Sequence, residues 1–182
     1  MTEVHGTKIY YQNSVLSAQK KDAGCKTDIQ VPKVKSITLN MGIGEAKNNK
    51  NLLTEGMKAM GLISGQKAVV TMSKKAISGF KIRENMGIGV KVTLRQKRMW
   101  DFLARLVNVY LPRVRDFHGL SKDSFDGKGN FSIGVNDMRI FPEVNADLAA
   151  SIKGLSITIC TNTRVDERAY SMLKCLGLPF KS

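Results

Sequence analysis

Three stretches of this chain alternate apolar and polar residues with a period of two, and no other feature constrains its fold as tightly. In Ser36–Asn40, Ile37 and Leu39 are interleaved with Ser36, Thr38 and Asn40. In Ile88–Arg95, Ile88, Val90, Val92 and Leu94 are interleaved with Gly89, Lys91, Thr93 and Arg95. Leu155–Cys160 repeats the pattern with Leu155, Ile157 and Ile159. Successive side chains on a strand point to opposite faces, so these stretches describe a sheet with one face on a core and the other open. Val69–Met72 and Phe131–Val135 read as shorter strands.

Other segments carry the helical period. Asn51–Ile63 puts Leu53, Met57 and Met60 on one stripe. Gln96–Tyr110 spaces Met99, Leu103, Leu106 and Tyr110 at helical intervals, and Pro112 is expected to stop it. Asp166–Leu176 has Ala169, Met172, Leu173 and Leu176 on its inner face. Asp166 is the expected N-cap, and Gly177 with Pro179 ends the helix. A weakly patterned opening helix is expected near Lys8–Lys21. No linker or repeat divides the 182 residues, so one domain spanning 1–182 is expected, with a core of ordinary size.

Charge narrows the function. The chain has 29 Lys and Arg against 15 Asp and Glu, a net +14. Between Ser73 and Arg98, eight of these cations (Lys74, Lys75, Lys81, Arg83, Lys91, Arg95, Lys97 and Arg98) face Glu84 alone, a local +7. From Gly119 onward eight basic and seven acidic residues nearly cancel. Concentrated positive charge suits phosphates. No basic helix with bulky apolar anchors accompanies it, so a membrane surface fits less well, and no apolar run is long enough to span one.

The alternation places Thr38, Asn40, Lys91, Thr93 and Arg95 on the open face of the sheet. Such groups can bind phosphates, ribose hydroxyls and base edges, or they can simply face water. The local charge favours RNA. Between Met72 and Gly87 lies "SKKAISGFKIRENM", a stretch too long for an ordinary turn. It carries Lys74, Lys75, Lys81, Arg83, flexible Gly79 and an unburied Phe80. An extended basic loop over 73–86 would suit a finger reaching a second nucleic acid, and a floppy hairpin is the plainer reading.

Signs of catalysis are missing. Gly42-Ile43-Gly44 has Lys47 where a dinucleotide fingerprint needs a third Gly. "FDGKGN" (Phe125–Asn130) lacks the upstream Gly and the following Ser or Thr of a phosphate loop, and with Asp123 and Asp126 it reads as turns. His5 and His118 have no cysteine at metal-ligand spacing. Cys25, Cys160 and Cys175 are odd in number and widely spaced, as reduced thiols would be. Neither catalytic residues, nor a metal, nor a cofactor is expected. The N-terminus lacks the apolar stretch of a signal peptide, so the chain is expected to act where it is made.

The strings "VPKVKSITLNMGIGEA" (Val31–Ala46), "ISGQK" (Ile63–Lys67), "GFKIR" (Gly79–Arg83), "VKVTLR" (Val90–Arg95), "PRVRDFHGL" (Pro112–Leu120), "SFDGKGNFSIGV" (Ser124–Val135), "GLSITI" (Gly154–Ile159) and "LPFK" (Leu178–Lys181) closely resemble, in order, the bacterial-type large-subunit ribosomal protein five family. The resemblance covers nearly the whole chain. It implies an α+β fold, an antiparallel sheet with helices packed on one face and a long basic loop between two strands. It further implies a protein that binds 5S rRNA and attaches it to 23S rRNA in the central protuberance. It also implies contacts with the P-site tRNA and with small-subunit ribosomal protein thirteen at an intersubunit bridge.

By motif, Asn40, Gln66 and Thr93 match the family's polar cluster against 5S rRNA. The loop matches the one that approaches tRNA, with Lys74, Lys75, Phe80, Lys81 and Arg83 as contacts. Thr38 lies beside the cluster, and Lys91, Arg95, Lys97 and Arg98 would supply phosphate contacts. Ala68 and Gly87 stand where the family usually has proline, and the first helix departs from the family pattern. The expected setting is a cytoplasmic ribosome, with an organellar one left open. Two rivals remain at this point: an RNA-modifying enzyme, and a regulator acting off the ribosome through the same surface.

Overall fold

Each alternating stretch forms a strand: β1 (Val34–Gly42) and β5 (Leu155–Thr161) run slightly longer than their strict patterns, and β3 (Gly87–Leu94) starts one residue earlier and ends before Arg95; β2 (Val69–Met72) and β4 (Phe131–Val135) pair with them. This is a computed structural model, describing residues 31–47, 49, 51–115, 117–152 and 154–181. The expected opening helix at Lys8–Lys21 lies outside the described residues. The strands form one antiparallel sheet of order β2-β3-β1-β5-β4. Among the described residues four α-helices accompany it: α1 (Asn51–Ser64), α2 (Gln96–Arg105), α3 (Ala146–Ser151) and α4 (Asp166–Cys175). The α+β expectation is met. Among the described residues, no helix is long and apolar enough to cross a membrane.

The chain packs as two compact units. One contains residues 31–37, 95–133 and 158–181, and the other residues 38–94 and 134–157.

In the second unit, α1 lies against β3. Its buried face is Gly56, Ala59, Met60 and Ile63, not the expected Leu53–Met57–Met60 stripe, whose first two members are only half-buried. The reason is a close approach at Gly56, where a Cβ would sit 2.6 Å from Ile43 Cδ1 and 3.6 Å from Val90 Cγ2. Small residues bring the helix onto the sheet, and this rotates the larger Leu53 and Met57 toward its edge. β2 and β3 pair Val69 with Lys91, Val70 with Val90 and Thr71 with Gly89, but Met72 with Gly87. Ile88 is therefore the extra residue of a bulge, which bends the ladder where the long loop begins.

In the first unit, Met99, Trp100, Phe102, Leu103 and Ala104 of α2 are buried. The α-helical pattern stops at Arg105, earlier than expected. Leu106–Tyr110 continue as a π-turn and Leu111–Arg113 as a 3-10 turn around Pro112. Proline has no N–H to bond back and its ring crowds the carbonyl four residues earlier, so the backbone widens before reaching it.

α4 buries Ala169, Met172 and Leu173, as its periodicity predicts. Its end is a Schellman turn: Gly177 has φ 90°, its N–H donates to the Lys174 carbonyl at 3.0 Å, and Leu178 N–H donates to the Leu173 carbonyl at 3.1 Å. Its start departs from expectation. Val165 is the N-cap, and the Asp166 carboxylate instead accepts from the N–H groups of Gly127 (3.1 Å) and Gly129 (2.6 Å). Phe131 is fully buried in an aromatic cluster, its ring centre 4.7 Å from Phe125 and 5.3 Å from Phe180. Tyr170 closes the cluster at 4.7 Å from Phe180.

Candidate nucleic-acid interface

On β1, Ile37, Leu39 and Met41 are buried, whereas Thr38 is half-buried and Asn40 exposed. On β3, Val90, Val92 and Leu94 are buried, Lys91 is exposed and Thr93 half-buried. The two strands are neighbours in the sheet. Near one end the Ile43 N–H donates to the Ile88 carbonyl at 2.9 Å. Counting along an unbroken antiparallel ladder from that bond sets Lys91 beside Asn40 and Thr93 beside Thr38, the same sum of residue numbers. The alternation thus yields a small polar field on the face opposite the apolar side chains.

Gln66 reaches this field by a different route. Gly65, with φ 63°, ends α1, its N–H donating to the Gly61 carbonyl at 2.9 Å. Only a residue without a Cβ adopts that left-handed backbone cheaply. The Ser64 hydroxyl holds the turn, donating to the Met60 carbonyl at 2.6 Å and accepting from Gln66 N–H at 3.2 Å. The turn swings Gln66 to the sheet, where its Nε2 donates to the Thr93 carbonyl at 3.4 Å, a long and weak bond. Thr38, Asn40, Gln66, Lys91 and Thr93 all belong to the second unit.

Arg95, Lys97 and Arg98 follow β3 directly in sequence but belong to the first unit. All three are exposed. Arg95 is the N-cap of α2, and the first turn holds Lys97 and Arg98 with no acidic residue. Cations at the positive end of a helix oppose its dipole by a few tenths to about 1 kcal/mol each. A phosphate placed there would reverse the sign of that interaction.

The 73–86 loop folds as a hydrogen-bonded tongue. At its base Ser73 N–H donates to the Met86 carbonyl at 2.8 Å and Asn85 N–H to the Ser73 carbonyl at 3.1 Å. The buried Ser73 hydroxyl donates to the Arg83 carbonyl and accepts from Met86 N–H at 3.0 Å. Further out Ile77 and Ile82 exchange backbone hydrogen bonds at 2.9 and 3.2 Å. A 3-10 turn at Ser78–Phe80 makes the tip, followed by Lys81 at φ 55°. Lys74, Lys75, Lys81 and Arg83 are exposed, and Phe80 is 65% exposed. Gly87 packs tightly, for a Cβ would lie 3.0 Å from Leu53 Cδ1 and 3.1 Å from Val70 Cγ1.

Among the described residues, no group of three or more His, Cys, Asp or Glu could hold a metal ion. Cys160 and Cys175 are free thiols. The Gly-rich "FDGKGN" segment is a turn, as expected: Asp126 accepts from Lys128 N–H at 2.8 Å, from Asn130 N–H at 3.0 Å and from Asn130 Nδ2 at 2.7 Å. The Asn130 side chain, with the backbone N–H groups assisting, holds the Asp126 carboxyl below its ordinary value of 3.8. What the sequence did not signal is that Asp166, 37 residues downstream of Gly129, ties the other side of this loop.

Two family models match the chain. The model described as ribosomal protein L5 matches residues 28–83, and the model for the C-terminus of the same ribosomal protein family matches residues 87–180. Among curated relatives, the large ribosomal subunit protein uL5 of Francisella philomiragia is 49% identical over 175 residues, 96% of this chain and 98% of that protein. The protein of the same name from Geobacter sulfurreducens is 49% identical over 174 residues, covering 96% and 97%. That of Synechocystis is 47% identical over 175 residues, covering 96% and 97%. With an α+β sheet that presents a polar field beside a basic tongue, the chain belongs to the bacterial-type uL5 family, as a non-enzymatic structural constituent of the large ribosomal subunit whose partners are rRNA.

Proposed function

We propose that this chain binds 5S rRNA through the polar field of Asn40, Gln66 and Thr93, with Thr38 beside them, and attaches that RNA to 23S rRNA in the central protuberance. Lys91, Arg95, Lys97 and Arg98 supply phosphate contacts. Lys74, Lys75, Phe80, Lys81 and Arg83 on the tongue meet the P-site tRNA, and a small-subunit protein, ribosomal protein thirteen, is met at an intersubunit bridge. The setting is the cytoplasmic ribosome.

The observation that carries this reading is the hydrogen bond from Gln66 Nε2 to the Thr93 carbonyl. It ties Gln66 to the backbone of β3 27 positions away, at the residue whose side chain shares a face with Asn40. Fixed amide and hydroxyl groups on a sheet recognise RNA shape, while nearby cations provide affinity without reading sequence.

The test is binding of purified protein to 5S rRNA and to an unrelated RNA of similar length, across a salt series. Preference for 5S rRNA should persist as salt rises, because shape readout does not depend on released counterions. Substituting Asn40, Gln66 and Thr93 together by Ala should weaken 5S binding by roughly 1–3 kcal/mol per good polar contact and leave folding intact. Equal affinities for both RNAs that collapse together with salt would defeat the site assignment.

A further inference from the structure

Three cations that are remote in sequence line one open groove of the first unit. Lys35 comes from β1, Lys128 from the Gly-rich turn and Arg164 from the segment after β5. The groove holds about 730 Å³, and among the described residues no acidic or aromatic residue lines it. Lys35, Lys128 and Arg164 are exposed. Among the described residues none of the three has an acidic partner.

The neutral groups of the wall are already engaged. Thr161 Oγ1 donates to the Gly129 carbonyl at 2.8 Å, and Asn130 Oδ1 accepts from Thr161 N–H at 3.2 Å. Asn162 Oδ1 accepts from Lys33 N–H at 2.6 Å, and Thr163 Oγ1 accepts from Val165 N–H at 3.2 Å. The nearby carboxylates of Asp126 and Asp166 accept the N–H groups of the Gly-rich turn, locking Gly127 at φ 76° and Gly129 at φ 77° around Lys128. These bonds fix the neutral groups of the wall to the backbone, so a ligand need not order them.

We propose that this groove is a second RNA-backbone site, in which Lys35, Lys128 and Arg164 hold phosphates of one RNA segment without reading its sequence. Three flexible cations on separate elements suit the repeated charges of a backbone better than a single compact anion. Among the described residues the wall holds no ring on which a base could stack. The site is independent of the 5S assignment: it lies wholly in the first unit, whereas Asn40, Gln66 and Thr93 lie in the second.

The full chain should be titrated with a short fluorescent oligoadenylate across a salt series, as wild type, as Lys35→Gln/Lys128→Gln/Arg164→Gln, and as a control with Lys58→Gln/Arg139→Gln/Lys174→Gln at exposed cations elsewhere. Each phosphate contact on a single strand contributes about 0.7 to the slope of log affinity against log salt. The groove variant should lose about 2 from that slope, and the control should keep it. An unchanged slope in the groove variant, or equal losses in both variants, overturns the proposal.

A second reading uses the wild type alone. The backbone amide resonances of Lys128 and Thr163 should shift with oligoadenylate at concentrations where inorganic phosphate leaves them in place. If inorganic phosphate moves them equally, the groove is a free-anion site and the RNA proposal fails. The groove variant should also retain whatever preference the wild type shows for 5S over an unrelated RNA. Loss of that preference alone, at unchanged oligoadenylate binding, would overturn the claim that the groove reads no sequence.

Discussion

Replacing Ser73 by Ala should loosen the basic tongue while leaving the sheet intact. The hydroxyl sits at the base of the loop, 6% exposed, and makes two bonds there, one to the Arg83 carbonyl and one from the Met86 amide. A neutral hydrogen bond contributes about 0.5–1.5 kcal/mol net, so losing two weakens the closed tongue by about 1–3 kcal/mol. The backbone pairs Ser73–Met86 and Asn85–Ser73 remain, and they keep the change local. Because 1.4 kcal/mol is a factor of ten, hydrogen exchange at the Met86 amide should quicken by about fivefold to over a hundredfold. Global unfolding, monitored by denaturant, should shift much less. Ser73→Thr, which keeps the oxygen, should restore most of the protection. A Ser73→Ala protein whose Met86 amide exchanges at the wild-type rate would refute the reasoning, because the tongue would then be held by its backbone ladder alone. If the tongue is the tRNA contact, the same variant should weaken tRNA binding by paying the ordering cost at the moment of contact, with 5S rRNA binding untouched.

Three further outcomes follow from other sites. Gly129→Ala should destabilise by more than about 2 kcal/mol in urea unfolding, since φ 77° is a left-handed backbone and the new Cβ would lie 2.4 Å from the Thr163 carbonyl oxygen. Phe131→Ala should cost about 3–5 kcal/mol by the same assay, because it empties the centre of the aromatic cluster around Phe125 and Phe180. Asp126 has its carboxyl lowered in the folded state, so the stability it lends is present above its unfolded value near 3.8 and is lost as pH falls through the lower folded value. The Asn130 side-chain amide resonances should therefore stay unchanged from neutrality down to that range and move only below it. Movement near pH 5 would contradict the assignment.

Period-two alternation located β1, β3 and β5, because a strand with one buried face has little freedom in where its apolar side chains fall. Helix α4 was equally legible: its inner face and its Gly177 ending follow from local stereochemistry and the 3.6-residue period. The expected polar face was also readable, since Thr38, Asn40, Lys91 and Thr93 follow from counting along two strands. The sequence could not show which face of α1 packs, because Gly56 decides it by letting the helix approach Ile43 and Val90. Nor could it show that Asp166 serves the Gly-rich turn and not its own helix, a choice between a local amide and two distant ones. The near-neutral C-terminal third concealed a basic groove for the same reason. Lys35, Lys128 and Arg164 are scattered in sequence and diluted by acids, and only folding turns Asp126 and Asp166 to backbone N–H groups and gathers the cations along one wall. Patterns with a short repeat can be read from the chain because the backbone itself imposes them. Long-range juxtapositions are decided by tertiary packing, which selects among many locally equivalent partners.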